Sequence, residues 1–192
     1  MDSIKNQTIN SAKWNAIERL SIQLVQFILG LIMARLLTPD DYGIVGMVAI
    51  FFSLSQSFID SGFSTALIRK PDAKEYEFST VFIFNVFVAI LLYGVLFFAA
   101  PSIANFFNQP ILSAIVRVQA VTLIVNSLMV VQVAMLTIKL DFKSLAKRNV
   151  SAVLISGIVG VIMAYKGFGV WSLVCQGVLS SLVNLVFICW YC

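Results

Sequence analysis

Three charged residues interrupt otherwise apolar stretches of this 192-residue sequence: Arg19, Asp60 and Arg117. An isolated charge in a hydrocarbon-spanning helix costs about 2.5–3.5 kcal/mol on insertion scales, so each needs a partner, a water-filled space or a ligand. Arg19 lies roughly 9 Å past Lys13 at the helical rise, and Asp60 roughly 13 Å before Arg69. Both depths are measured from the same side, so one chemistry is an Arg19–Asp60 ion pair between two neighbouring helices. The other leaves Asp60 as a protonatable or sodium-binding carboxylate. Arg117 lies about 10 Å past Pro110. No acidic residue stands at its depth, which suits it to binding an anion; the alternative is snorkelling to the headgroups. Arg35, one turn from the end of its apolar stretch, is a simpler snorkelling residue.

Polar residues continue the pattern at helical spacing. Arg19, Gln23, Gln26 and Gly30 share one helix face, as do Ser53, Gln56, Ser57, Asp60 and Ser64. Gln119, Thr122 and Asn126 form a third stripe, and Gln176, Ser180 and Asn184 a fourth. Such residues either hydrogen-bond one packed helix to another or line a shared polar cavity. The candidate binding residues are therefore Arg19, Gln23, Gln26, Arg35, Gln56, Asp60, Arg117 and Asn126.

The elements that position them follow from composition. The sequence is 60% hydrophobic and 11% charged, with a mean hydropathy of +0.96. Soluble domains average about 45–50% apolar and about 25% charged residues. An all-α, polytopic membrane protein is the class that fits. Six stretches are long enough to span hydrocarbon: about 14–37, 43–68, 78–100, 111–138, 149–165 and 168–192. Lys5 and Lys13, then Arg69, Lys70 and Lys74, then Lys139, Lys143, Lys147 and Arg148 fall in alternate connections. The positive-inside rule then places both termini in the cytoplasm. The net charge of +4 does not indicate nucleic acid, because the basic residues sit in short connections and form no continuous patch.

The connections carry their own signals. In "LLTPDDYG" (36–43), Pro39 stops one helix, and Asp40 or Asp41 can cap the next and complement its dipole. Ser156, Gly157, Gly160 and Ala164 form a small-residue face suited to close helix packing. The basic segment 139–149 reads as a short amphipathic helix on the inner leaflet. Cys175, Cys189 and Cys192 read as small hydrophobes within the last apolar helix. There is no histidine, no glycine-rich phosphate loop and no nucleophile–base pair, so neither an enzyme nor a resident cofactor or metal is expected. The chain ends inside an apolar stretch with no basic anchor after it, so it reads as the N-terminal part of a longer protein or as a truncated product.

Four stretches together, "LLTPDDYG", "DSGFSTALIRK" (60–70), "LDFKSLAKRN" (140–149) and "GFGVWSLVCQ" (167–176), resemble the polysaccharide transporter family. These are bacterial lipid-linked oligosaccharide and O-antigen flippases of the multidrug/oligosaccharidyl-lipid/polysaccharide exporter superfamily. The resemblance implies one six-helix lobe of a two-lobe inner-membrane transporter working by alternating access around a central cavity. It implies an undecaprenyl-pyrophosphate-linked oligosaccharide as substrate, with lipopolysaccharide or exopolysaccharide as its destination. It also implies a second lobe or polysaccharide assembly proteins as partners. Basic cavity residues of the family receive the pyrophosphate, and Arg19, Arg35 and Arg117 are the span arginines able to do so here. Two other readings stand beside it: a cation-coupled small-molecule exporter using Asp60, and a non-transporting half-protein or partner subunit.

Overall fold

In a computed structural model, residues 2–59, 75–138 and 142–191 are described, with side chains for 19–59, 76–138 and 144–190. They form six helices: α1 (Asp2–Leu36), α2 (Pro39–Ile59), α3 (Glu75–Phe106), α4 (Ile111–Ile138), α5 (Phe142–Tyr165) and α6 (Val170–Tyr191). All six are long and apolar enough to cross a membrane.

Local chemistry sets most helix ends. Thr38 caps α2: its hydroxyl lies 3.4 Å from the Asp41 amide that would donate to it. The Asp41 carboxylate accepts from the Thr38 amide at 3.0 Å and from its hydroxyl at 2.8 Å. This is a capping box with Pro39 in the first helical position, where a missing N–H costs nothing. Thr38 is thus the cap, with Asp41 its reciprocal partner in the first turn. The C-terminus of α3 is closed by Asn108 at φ 54°, with the Gln109 amide donating to the Ala104 carbonyl at 2.9 Å. The C-terminus of α5 is closed the same way by Gly167 at φ 80°, with the Phe168 amide donating to the Met163 carbonyl at 3.2 Å.

Two helices run further than hydropathy suggests. α3 continues through Pro101 to Phe106, because a proline removes one intrahelical donor but a packed apolar helix carries on past it. α5 begins at Phe142, so no separate amphipathic helix precedes it. Nothing between Phe142 and Asn149 breaks a helix, and its first turns simply carry the basic residues; 139–141 lie outside the described residues.

Packing makes α4 and α6 the centre. α3 lies along α4, α5 along α6, and α4 against α6; α2 leans on α3, α4 and α6. α1 packs on α5 alone and makes no contact with α2 among the described residues. The main core joins α2, α3, α4 and α6 through Val48, Ala89, Ile115, Ala120 and Val174. Small residues of α5 serve two seams: a Cβ at Gly157 would overlap the Leu29 side chain of α1, and one at Gly160 would come within 2.9 Å of Gln176 Oε1 of α6. By contrast, a Cβ at Gly30 or Gly46 would meet nothing within 4 Å. The first turn of α2 and the connection between α5 and α6 also touch, since a Cβ at Gly169 would lie 3.0 Å from Asp41 Oδ1.

Candidate functional site

The polar stripes have different fates. On α1, Arg19, Gln23, Gln26, Gly30 and Arg35 are all exposed. Only 6% of the segment Arg19–Leu36 is buried. The face that meets α5 carries Met33 and Leu37; Gln26, seven residues before Met33, lies on that same side of the helix and Gln23 about 80° round from Met33, yet both are exposed. Gln23 and Gln26 therefore do not glue α1 to a neighbour.

On α2, Ser53 and Ser57 are exposed and donate to carbonyls of their own helix, Ile50 at 2.9 Å and Ser53 at 3.0 Å. Gln56 is half-buried and accepts a 3.3 Å hydrogen bond from Asn126 Nδ2 of α4. The structure thus brings Gln56 and Asn126 together as an interhelical pair. Asp60 lies outside the described residues, so its pairing with Arg19 does too. The turn at Thr38 does not set the α1 stripe against α2, because α1 is held on α5 instead.

Arg117 is half-exposed on α4. Its guanidinium carbon sits 4.7 Å from the centre of the Phe97 ring of α3. Its Nε is buried without a hydrogen-bond partner. The acidic residues of α3, Glu75 and Glu77, lie at the opposite end of that helix, and α4 has none. An aromatic face therefore takes the place of a counter-ion. With α1 packed on α5, Arg117 does not meet Arg19 or Arg35, and the seven candidates among the described residues do not gather at one point.

The structure adds residues that the stripes did not indicate. Asn85 of α3 is fully buried, with neither side-chain atom hydrogen-bonded. Gln132 Oε1 is buried and unpartnered as well, and Gln132 lines an open groove of about 420 Å³ with Phe78, Phe82 and Met135 between α3 and α4. Each is a single amide in an apolar run, "FIFNVFV" and "VVQVAM", and that isolation was the available signal. Arg148 is 9% exposed and donates from Nε and Nη2 to Asn149 Oδ1 at 3.1 and 2.7 Å. Its place on the face of Leu145 and Ala152 makes it more than a topological charge. Cys189 is exposed, not buried, because its neighbour Ile188 takes the inward position and one residue turns the helix by about 100°. Among the described residues, no group of three His, Cys, Asp or Glu side chains gathers as a metal site.

Comparison with known proteins adds the following. The family described as "Polysaccharide biosynthesis protein" matches residues 32–192. The chain is 28% identical over 147 residues to a teichuronic acid biosynthesis protein, TuaB, of Bacillus subtilis, covering 77% of this chain and 30% of that protein. It is 23% identical over 182 residues to the lipopolysaccharide biosynthesis protein WzxC of Escherichia coli, covering 95% and 36%. It is also 23% identical over 172 residues to the succinoglycan biosynthesis transport protein ExoT of Rhizobium meliloti, covering 90% and 35%. The chain spans about a third of the length of these curated relatives. No solved structure matches it.

Proposed function

The chain belongs to the polysaccharide biosynthesis protein family, and we propose that it forms one six-helix lobe of a flippase for a lipid-linked polysaccharide precursor. The lobe sits in the bacterial inner membrane with both termini cytoplasmic and works by alternating access against a second lobe. The substrate is an undecaprenyl-pyrophosphate-linked oligosaccharide. Arg117 offers positive charge to the pyrophosphate at one point of its passage, Arg19 and Arg35 do so at separate points along α1, and Gln23 and Gln26 offer hydrogen bonds to the sugars.

The supporting observation is the uncovered stripe on α1. Gln23 and Gln26 are exposed on a helix otherwise rich in exposed Leu, Ile and Phe. Amides that face hydrocarbon without partners are costly, whereas amides that face a hydrated cavity are not. A wet path along α1 reconciles the two. Relatives named for lipopolysaccharide and succinoglycan production support polysaccharide as the cargo class.

Complementation tests the reading. A strain lacking its own flippase receives this chain together with whatever sequence follows it in its gene. Restored surface polysaccharide, lost again with Gln26→Leu at unchanged protein level, is expected. No restoration by the unaltered gene defeats the proposal.

A further inference from the structure

Resting on the reading of Arg117 as a pyrophosphate-binding residue, we infer that Phe97 is its positioning residue. The Phe97 ring orients the guanidinium inside the bilayer through its π face.

The starting point is an arginine about 9 Å into α4, counted from Ile111 at the helical rise, with no ion pair to a carboxylate among the described residues. A guanidinium in that position normally snorkels outward or finds an acid. Arg117 rests instead on a ring. Its Cζ lies 4.7 Å from the Phe97 centroid, inside the roughly 6 Å range where a ring quadrupole attracts a cation. Its Nε is buried without an acceptor, while the side chain as a whole remains half-exposed. The stacked, enclosed part of the fork is therefore spent on Phe97, and the Nη edge is the part left to meet a ligand. That edge matches a phosphate oxygen pair in geometry and charge.

The ring is itself held. Tyr93 packs one helical turn away at 5.8 Å between centroids, with the planes tilted by 33°, and Phe98 meets Phe97 edge-on at 5.8 Å. α3 and α4 lie along each other, so Phe97 and Arg117 sit on two elements whose spacing is set by the core. An aromatic partner differs from an acidic one in a way that matters for an anion site. A carboxylate would cancel the arginine charge and compete with the phosphate. A ring stabilises the cation and leaves its net charge available to the ligand.

The test uses the full-length protein in phosphatidylcholine nanodiscs. Phe97 is replaced by mono-, di- and trifluorophenylalanine, which drain the ring face with little change of volume. Binding of undecaprenyl pyrophosphate is titrated for each, beside Phe97→Trp, Phe97→Leu and Arg117→Ala, with phosphatidylglycerol as a second probe. Affinity for the pyrophosphate is expected to fall stepwise with fluorine number. Phe97→Trp should retain it and Phe97→Leu should lose about 10- to 30-fold. A flat fluorine series beside a weakened Arg117→Ala overturns the role of Phe97 and leaves the reading of Arg117 standing. Unchanged binding in Arg117→Ala defeats that reading, and the inference with it. A series that moves phosphatidylglycerol binding alone overturns the assignment to substrate. If Phe97→Leu fails to fold, the near-isosteric fluorine series still decides.

Discussion

Helices α1 and α4 carry the same kind of sequence, an apolar span with a stripe of glutamine, asparagine or threonine and an arginine near one end. They end in opposite environments. Of the spanning segment of α4, 44% is buried, against 6% for α1. On α4 the stripe is enclosed: Asn126 reaches Gln56, Thr122 donates to the Gln119 carbonyl at 2.7 Å, and Gln119 Oε1 is left buried without a partner. On α1 the stripe is open. A polar stripe in a membrane span therefore has no single meaning. Surrounded by neighbouring helices, it ties or strains the bundle; at the edge, it leaves hydrogen-bonding groups exposed.

The largest expected effect tests what keeps α1 at that edge. Gly157→Leu should displace Leu29 and cost about 3 kcal/mol of stability, the upper range for overpacking a close contact. Thermal unfolding in nanodiscs reads the loss, and Leu29→Ala in the same chain should return part of it. An unchanged unfolding temperature in Gly157→Leu would mean that α1 is not seated there.

Next comes the turn from which α1 and α2 diverge. Thr38→Ala removes the capping hydroxyl and should cost about 1 kcal/mol; Thr38→Ser should cost far less. Equal losses in the two would place the effect outside the capping box.

A smaller effect belongs to the enclosed stripe. A double-mutant cycle on Gln56→Leu and Asn126→Leu should give a coupling near 0.6 kcal/mol, the average for hydrogen bonds between membrane helices. Additive losses would remove the pair from the account of how α2 is held.

The smallest stability effect is expected on α1, and it sharpens the contrast most. Gln23→Leu and Gln26→Leu should shift stability by less than about 0.5 kcal/mol, as exposed positions do, yet impair complementation. A cysteine at position 26, in a chain cleared of its native cysteines, should react with a membrane-impermeant thiol reagent. Failure to react would place the stripe against lipid.

Much of the architecture was legible from residue order alone. Six apolar stretches became six helices, since length and hydropathy are properties of each stretch by itself. The small face of Ser156, Gly157, Gly160 and Ala164 marked a close contact, because only small side chains let two helix backbones approach. Helix ends were less legible. Pro101 looked like a stop and is crossed; Asn149 looked like a start and lies inside α5. Both depend on neighbouring packing more than on local preference. The candidate residues were legible as types and not as an assembly. Nothing in the spacing of Arg117 pointed to Phe97, which is distant in sequence and on another helix. Asn85 was marked only as a lone amide in an apolar run, which does not say on which side of the helix its neighbours fall.

By itself, then, the sequence determined the six spanning helices found among the described residues, where four polar stripes run along the apolar stretches, and which face of α5 permits close approach. These are consequences of helical periodicity and side-chain size, both local. Only the tertiary structure decided that α1 joins α5 and not the helix it is connected to, that one stripe is covered while another stays open, and that an arginine without an acid rests on a ring. Those outcomes depend on which surfaces compete for each helix, and that competition is settled by the whole bundle at once.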